Sequence, residues 1–131
     1  MAGETNLDIL IKTMEPCLNE GDYVFCTVDD LLSVNQNELV FYFKEKEAIT
    51  IVVRKEFADK SQFEYSMIFK WITLTVHSSL DAVGLTAAFS TALAKESISC
   101  NVVAGFYHDH IFVPKKDALK AMDTLHCLAG K

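Results

Sequence analysis

Between Trp71 and Pro114 the chain reads WITLTVHSSLDAVGLTAAFSTALAKESISCNVVAGFYHDHIFVP, and this stretch leaves few folds open. A β-rich tract runs through a Ser-rich turn into a Gly-bearing helical pattern, and two short β-rich runs joined by a tight loop follow. Leu85, Phe89 and Leu93 recur at i, i+4 and i+8, a stripe that should face a sheet. Strand, helix, strand, strand in so short a span calls for an α+β layer.

The rest of the chain supplies compatible elements. TNLDILIKTM, residues 5–14, puts Leu7, Leu10, Ile11 and Met14 on one helical stripe, with Thr5 and Asp8 as a capping box and Pro16 helping to end it. Tyr23–Val28 is β-rich, and Asp29–Glu38 is polar enough for a loop. Leu39–Lys44 and Ala48–Val53 flank the charged turn Glu45–Glu47 as a hairpin, and Lys55–Lys60 suits a short helix. Phe63–Val76 is the longest strand-like tract, apolar on both alternating sides. The helical pattern spans Leu80–Ala94, with Leu80, Val83, Ala87 and Ala94 on a second apolar side that calls for a cover. Ala118, Ala121, Met122, Leu125 and Leu128 make the last helix plainly amphipathic.

A weak repeat links these elements. Ala48–Lys60 lies over Asp109–Ala121, each a strand running into a helix with a basic start, and upstream of each comes a helix beginning Leu-Asp (Leu7–Asp8, Leu80–Asp81) and then a strand. The expected architecture is two α+β halves, 1–68 and 69–131, rather than one doubly wound sheet.

Composition excludes several function classes. A net charge of −6 with scattered Lys and Arg gives no surface that would track nucleic-acid phosphates. No run of apolar residues is long enough to span a membrane, and MAGETNLDIL lacks the basic start and apolar core of a secretory leader, so a cytoplasmic location is expected. Cys17, Cys26, Cys100 and Cys127 show no metal-ligand spacing and read as reduced thiols. His108 and His110 could begin a metal site, but third and fourth ligands are wanting, and neither a metal nor a cofactor is expected. The sequence contains no nucleophile elbow, Cys–His signature or Gly-rich phosphate loop, so no catalytic residue is expected.

What remains is one compact polar junction. His77-Ser78-Ser79-Leu80-Asp81 closes a strand and opens the helical pattern, with Gly84 one turn in. Ser78 and Asp81 fit a capping box, and Ser79 could cap instead; the same N–H groups and positive helix end could equally hold a carboxylate. Gly84 would then let a ligand approach the backbone, so Gly84→Val is expected to abolish binding and spare the fold. Asp109, in the loop after Gly105, could make a local turn bond or accept from a ligand ammonium.

The segment VHSSLDAVGLTAAFSTALAKESISCNVVAGFYHDHIFV resembles an ACT domain. It is especially similar to tandem ACT-like small bacterial proteins of unknown function and to the ACT halves of arginine-sensing proteins. YVFCTV and FKEKEAITIVV resemble the first, degenerate half of the same family. The resemblance implies two ferredoxin-like βαββαβ halves side by side, an antiparallel sheet with helices on one face, and small-ligand sites between halves or subunits. It also implies a regulatory module that binds a free amino acid. By position the ligand contacts are Ser78, Ser79, Leu80, Asp81, Val83, Gly84 and Leu85, then Ala104, Gly105 and Phe106, with Asp109 as the acidic position. Gly105 departs from the family pattern, which has a hydroxyl residue there, and no attached enzyme domain is expected beside the halves. The apolar lining of Leu80, Val83 and Phe106 favours an apolar or aromatic amino acid. The expected assembly is a homo-oligomer, with a partner enzyme as a further option. The alternative is a ligand-free oligomerisation or partner-docking module built on Val83, Ala87 and Ala94.

Overall fold

The computed structural model describes residues 6–76 and 82–131. In chain order the elements are α1 (Leu7–Thr13), β1 (Glu15–Leu18), β2 (Tyr23–Val28), β3 (Leu39–Lys44), β4 (Ile49–Arg54), α2 (Lys55–Ser61), β5 (Phe69–Thr75), α3 (Leu85–Lys95), β6 (Asn101–Ala104), β7 (Asp109–Pro114) and α4 (Ala118–Leu128). Single 3₁₀ turns at Leu31–Ser33, Gln36–Glu38 and Lys115–Asp117 join them. The class is α+β, with antiparallel strand pairs.

The chain packs as two compact units: Gly21–Phe69 forms one, and the residues up to Glu20 join those from Lys70 onward in the other. The sequence repeat leads to an expectation of halves 1–68 and 69–131, whereas packing groups the start of the chain with its end. The reason is β1, whose Glu15, Pro16, Cys17 and Leu18 pair antiparallel with Thr75, Leu74, Thr73 and Ile72 of β5.

In that larger unit the strand order is β1-β5-β7-β6. β5, α3, β6, β7 and α4 follow one another as βαββα, and β1 takes the sixth place of a ferredoxin-like βαββαβ unit. Leu10 and Met14 from the α1 segment, Leu85, Phe89 and Leu93 from α3, and Ala121 and Leu125 from α4 close over Ile72, Leu74, Ile111 and Val113. Helices therefore cover one sheet face. The sequence stripe on α3 is buried as expected, with Phe89 and Leu93 fully inaccessible.

The smaller unit orders its strands β3-β4-β2, and its last residue, Phe69, pairs with Tyr23. Two 3₁₀ turns stand where the first helix of a complete half would lie. Val24, Cys26, Ile51, Val53 and Ala58 make its core. The hairpin, the β2 strand and the short helix after β4 match the sequence reading within a residue, and β4 into α2 parallels β7 into α4.

Four expectations need correction. The strand tract Phe63–Val76 begins only at Phe69, because the chain reverses after α2: Gln62 takes a left-handed conformation (φ 59°), and Phe63 N–H returns to Ala58 O at 2.9 Å. Phe63 then packs edge-on against Phe57, and Tyr65 Oη donates to Asp59 at 2.7 Å, tying both aromatics to α2. The helix expected over Leu80–Ala94 starts at Leu85, because Gly84 has φ 100° and ends any helical run there. Residues 77–81 lie outside the described residues, as does Thr5; Asn6 caps α1, accepting from Ile9 N–H at 3.2 Å. β1 is the fourth: Pro16 ends α1 as expected, yet it also sits within an edge strand, where a missing N–H is tolerated.

Candidate functional site

The junction after β5 and the β6–β7 turn belong to the same unit. Ser78, Ser79, Leu80 and Asp81 lie outside the described residues. Ala82 packs on the core, whereas Val83 is 82% exposed. Gly84 is the N-cap of α3, and its carbonyl accepts from Ala88 N–H at 2.9 Å. A Cβ at Gly84 would come 3.0 Å from Leu7 Cδ2, so the glycine answers to the close approach of α1 as well as to its own positive φ. The Leu85 side chain points into the core, leaving only its backbone to face outward chemistry. Among the described residues no side chain caps α3, and its first N–H groups carry the partial positive charge of a helix start.

Ala104, Gly105, Phe106 and Asp109 are brought together by one hairpin. Ala104 pairs with Asp109 across β6 and β7, and Gly105 N–H donates to His108 O at 2.9 Å. A Cβ on Gly105 would meet that same His108 oxygen at 2.9 Å, so the tight turn excludes the hydroxyl residue of the family pattern. Phe106 and Tyr107 form an exposed edge-to-face pair at the tip, centroids 5.2 Å apart. Asp109 is 8% exposed and shares the helix-covered face with Ile111 and Val113 by strand alternation. Among the described residues its carboxylate has no hydrogen-bond or ion-pair partner. Burial raises its pKa, with His110 and His108 pulling weakly the other way.

On the other sheet face lies a polar network that no local signal in the sequence foretells, because its members come from separate strands. Trp71 Nε1 donates to His110 Nδ1 at 3.0 Å, and Thr73 Oγ1 is 3.1 Å from the same nitrogen. Asn19 Nδ2 donates to Thr73 Oγ1 at 2.9 Å. The described residues contain no group of three or more potential metal ligands, so His108 and His110 do not form the nucleus of a metal centre among them. A groove of about 1010 Å³ runs between α3 and α4, lined by Ala87, Ala88, Thr91, Ala92, Thr124 and Leu128 among others. Ala87 and Ala94, for which the sequence demanded a cover, are exposed.

Two family profiles match the sequence, each described as an ACT domain, one over residues 2–70 and the other over residues 67–127. The chain belongs to the ACT-domain family. Both ACT profiles together span nearly its whole length, in tandem. A Vibrio cholerae protein of unknown function, a possible transport protein, is 49% identical, with 94% of this chain and 95% of that one covered and a TM-score of 0.85. A protein from Agrobacterium tumefaciens shares the fold at 16% identity, covering 88% of this chain and 89% of that one, TM-score 0.72. The regulatory subunit of aspartate kinase from Thermus thermophilus shares it at 8% identity, 87% and 97% coverage, and TM-score 0.66. No curated protein matches the sequence.

Proposed function

We propose that this ACT protein is a non-catalytic regulatory module that binds a free α-amino acid beside the β6–β7 turn. The observation that carries the reading is Asp109, a residue 8% exposed whose carboxylate has no hydrogen-bond or ion-pair partner among the described residues. A lone buried carboxylate is costly, and an ammonium delivered by a ligand would offset that cost. The Ala104 and Gly105 carbonyls supply neighbouring acceptors. The ligand carboxylate meets N–H groups in the segment leading through Gly84 into α3, with Ser78, Ser79, Leu80 and Asp81 upstream. Val83 and Phe106 offer apolar surface, which favours an apolar or aromatic side chain. Tandem ACT architecture supports a regulatory role, in the cytoplasm, as a homo-oligomer acting on a partner enzyme; the aspartate kinase regulatory subunit is a protein of the same fold.

The test compares each amino acid that binds with its α-hydroxy acid analogue, in wild type and in Asp109→Asn. Ammonium recognition predicts that the hydroxy acid binds at least tenfold more weakly to wild type and that Asp109→Asn removes the difference. Equal affinity for both ligands in wild type rejects the assigned role of Asp109. A second reading, a ligand-free oligomerisation or docking module, is favoured by the exposed groove between α3 and α4; it predicts an assembly indifferent to every amino acid.

A further inference from the structure

The face of β5 and β7 that points away from the helices carries a histidine whose protonation state is dictated by its neighbours. An indole N–H can only donate, so the 3.0 Å contact from Trp71 Nε1 requires a lone pair on His110 Nδ1. Thr73 acts in the same sense. Its oxygen accepts from Asn19 Nδ2 at 2.9 Å, and with Nδ1 bare its own proton can be directed at that nitrogen, 3.1 Å away. Asn19 is held in turn by the Trp71 carbonyl, which accepts from its backbone N–H at 2.9 Å and from its amide at 3.2 Å. Neutral His110 with its proton on Nε2 is the only form that satisfies both donors. A proton on Nδ1 would face the Trp71 N–H, which can only donate, and Thr73 Oγ1 would have to turn from donor to acceptor.

We propose that Trp71, Thr73 and His110 form a proton-responsive lock between β5 and β7, closed while His110 is neutral and opened when Nδ1 is protonated. The lock stands independently of amino-acid binding, although β7 also carries Asp109, so its opening loosens the strand from which that carboxylate projects. Among the described residues the charged and titratable groups around His110 are few. Asp109 and His108 flank it on β7 and in the turn. Cys17 on β1 shares its sheet face through the Cys17–Thr73 pair, Lys70 on β5 alternates to the opposite face, and β6 carries no ionisable side chain. Burial, with a smaller share from His108, lowers the His110 pKa, and Asp109 pulls the other way. A lowered value in the folded chain means that the unfolded chain binds more protons below about pH 6.5, so stability falls as pH drops through that window and is complete above it.

Trp71 is the sole tryptophan, which makes its fluorescence a direct reporter. Titrated from pH 8 to pH 5, wild-type emission should change in one step with a midpoint below about 6.5, the ordinary histidine value. His108→Gln should keep that step and His110→Gln should lose it. Nitrogen-15 shifts of the wild-type imidazoles at pH 8 should show His110 Nδ1 bare and Nε2 protonated, a measurement that decides the matter even if His110→Gln does not fold. A proton on Nδ1 at pH 8, a flat wild-type titration, or a step that survives in His110→Gln overturns the proposal.

Discussion

Replacing Gly84 by Ala should destabilise the larger unit, and the size of the effect follows from two features of the backbone. Gly84 sits at φ 100° and ψ −16°, outside the conformations a residue with a Cβ adopts readily. Holding Ala there costs about 1–3 kcal/mol. The new Cβ would also stand 3.0 Å from Leu7 Cδ2, inside the ~3.5–4.0 Å of relaxed carbon contact, so Leu7 must give way. Ala restricts the unfolded chain, which returns about 0.4–1 kcal/mol. The net loss is roughly 1–2 kcal/mol, and for a chain between the small and medium size ranges this lowers the melting midpoint by roughly 3–10 °C. The assay is thermal and urea unfolding of Gly84→Ala, Leu7→Ala and the double variant. Strain at φ survives the loss of the Leu7 side chain, so most of the Gly84→Ala cost should persist in the Leu7→Ala background. Gly130→Ala, with φ 78° but no atom within 4 Å of the added carbon, isolates conformational strain without crowding. A Gly84→Ala variant within about 0.5 kcal/mol of wild type, the ordinary scatter of a surface substitution, refutes the reasoning. The same geometry overturns the expectation that Gly84→Val spares the fold, because any side chain there strains the start of α3.

Ser97 occupies a left-handed position (φ 60°) after α3, where Ile98 N–H returns to Leu93 O at 3.0 Å, so Ser97→Gly should raise stability by roughly 0.5–1 kcal/mol in urea unfolding. Asp109 has a raised pKa in the folded chain, so the stability it contributes is full below the unfolded value of about 3.9 and is lost as pH rises through the folded one; Asp109→Asn should remove that dependence and leave the protein no less stable at pH 7, as read by melting midpoints from pH 3 to 7. Two thiols, Cys17 and Cys127, should react rapidly with a disulfide reagent in the native protein, while buried Cys26 should react only on unfolding and half-buried Cys100, its pKa pushed up to about 11, should react much more slowly than the exposed pair.

The sequence revealed most about elements whose signals are local. The stripe of Leu85, Phe89 and Leu93, the β2 strand and the β3–β4 hairpin were legible from periodicity and turn residues alone. Reading failed where backbone geometry or a distant partner decides. Gly84 falls inside the helical pattern of Leu80–Ala94, yet a positive φ is invisible in a residue name. β1 has four residues including a proline, too short and irregular to register as a strand until β5 supplies its partner. Phe63 and Tyr65 carry β propensity but are captured by α2. Asp109 stands out in the sequence only as an acid in a loop; that it is buried, and that Trp71 and Thr73 contact the histidine beside it, are consequences of strand pairing over dozens of residues.

The central claim is that this ACT protein binds a free amino acid, and a thermal-shift screen against the twenty amino acids, on protein dialysed until mass spectrometry finds no retained ligand, tests it most directly. A ligand at about 100 times its dissociation constant adds roughly 2.7 kcal/mol, which raises the midpoint by roughly several degrees. The account predicts such a rise for one amino acid or a few chemically related ones. No rise with any of the twenty contradicts it.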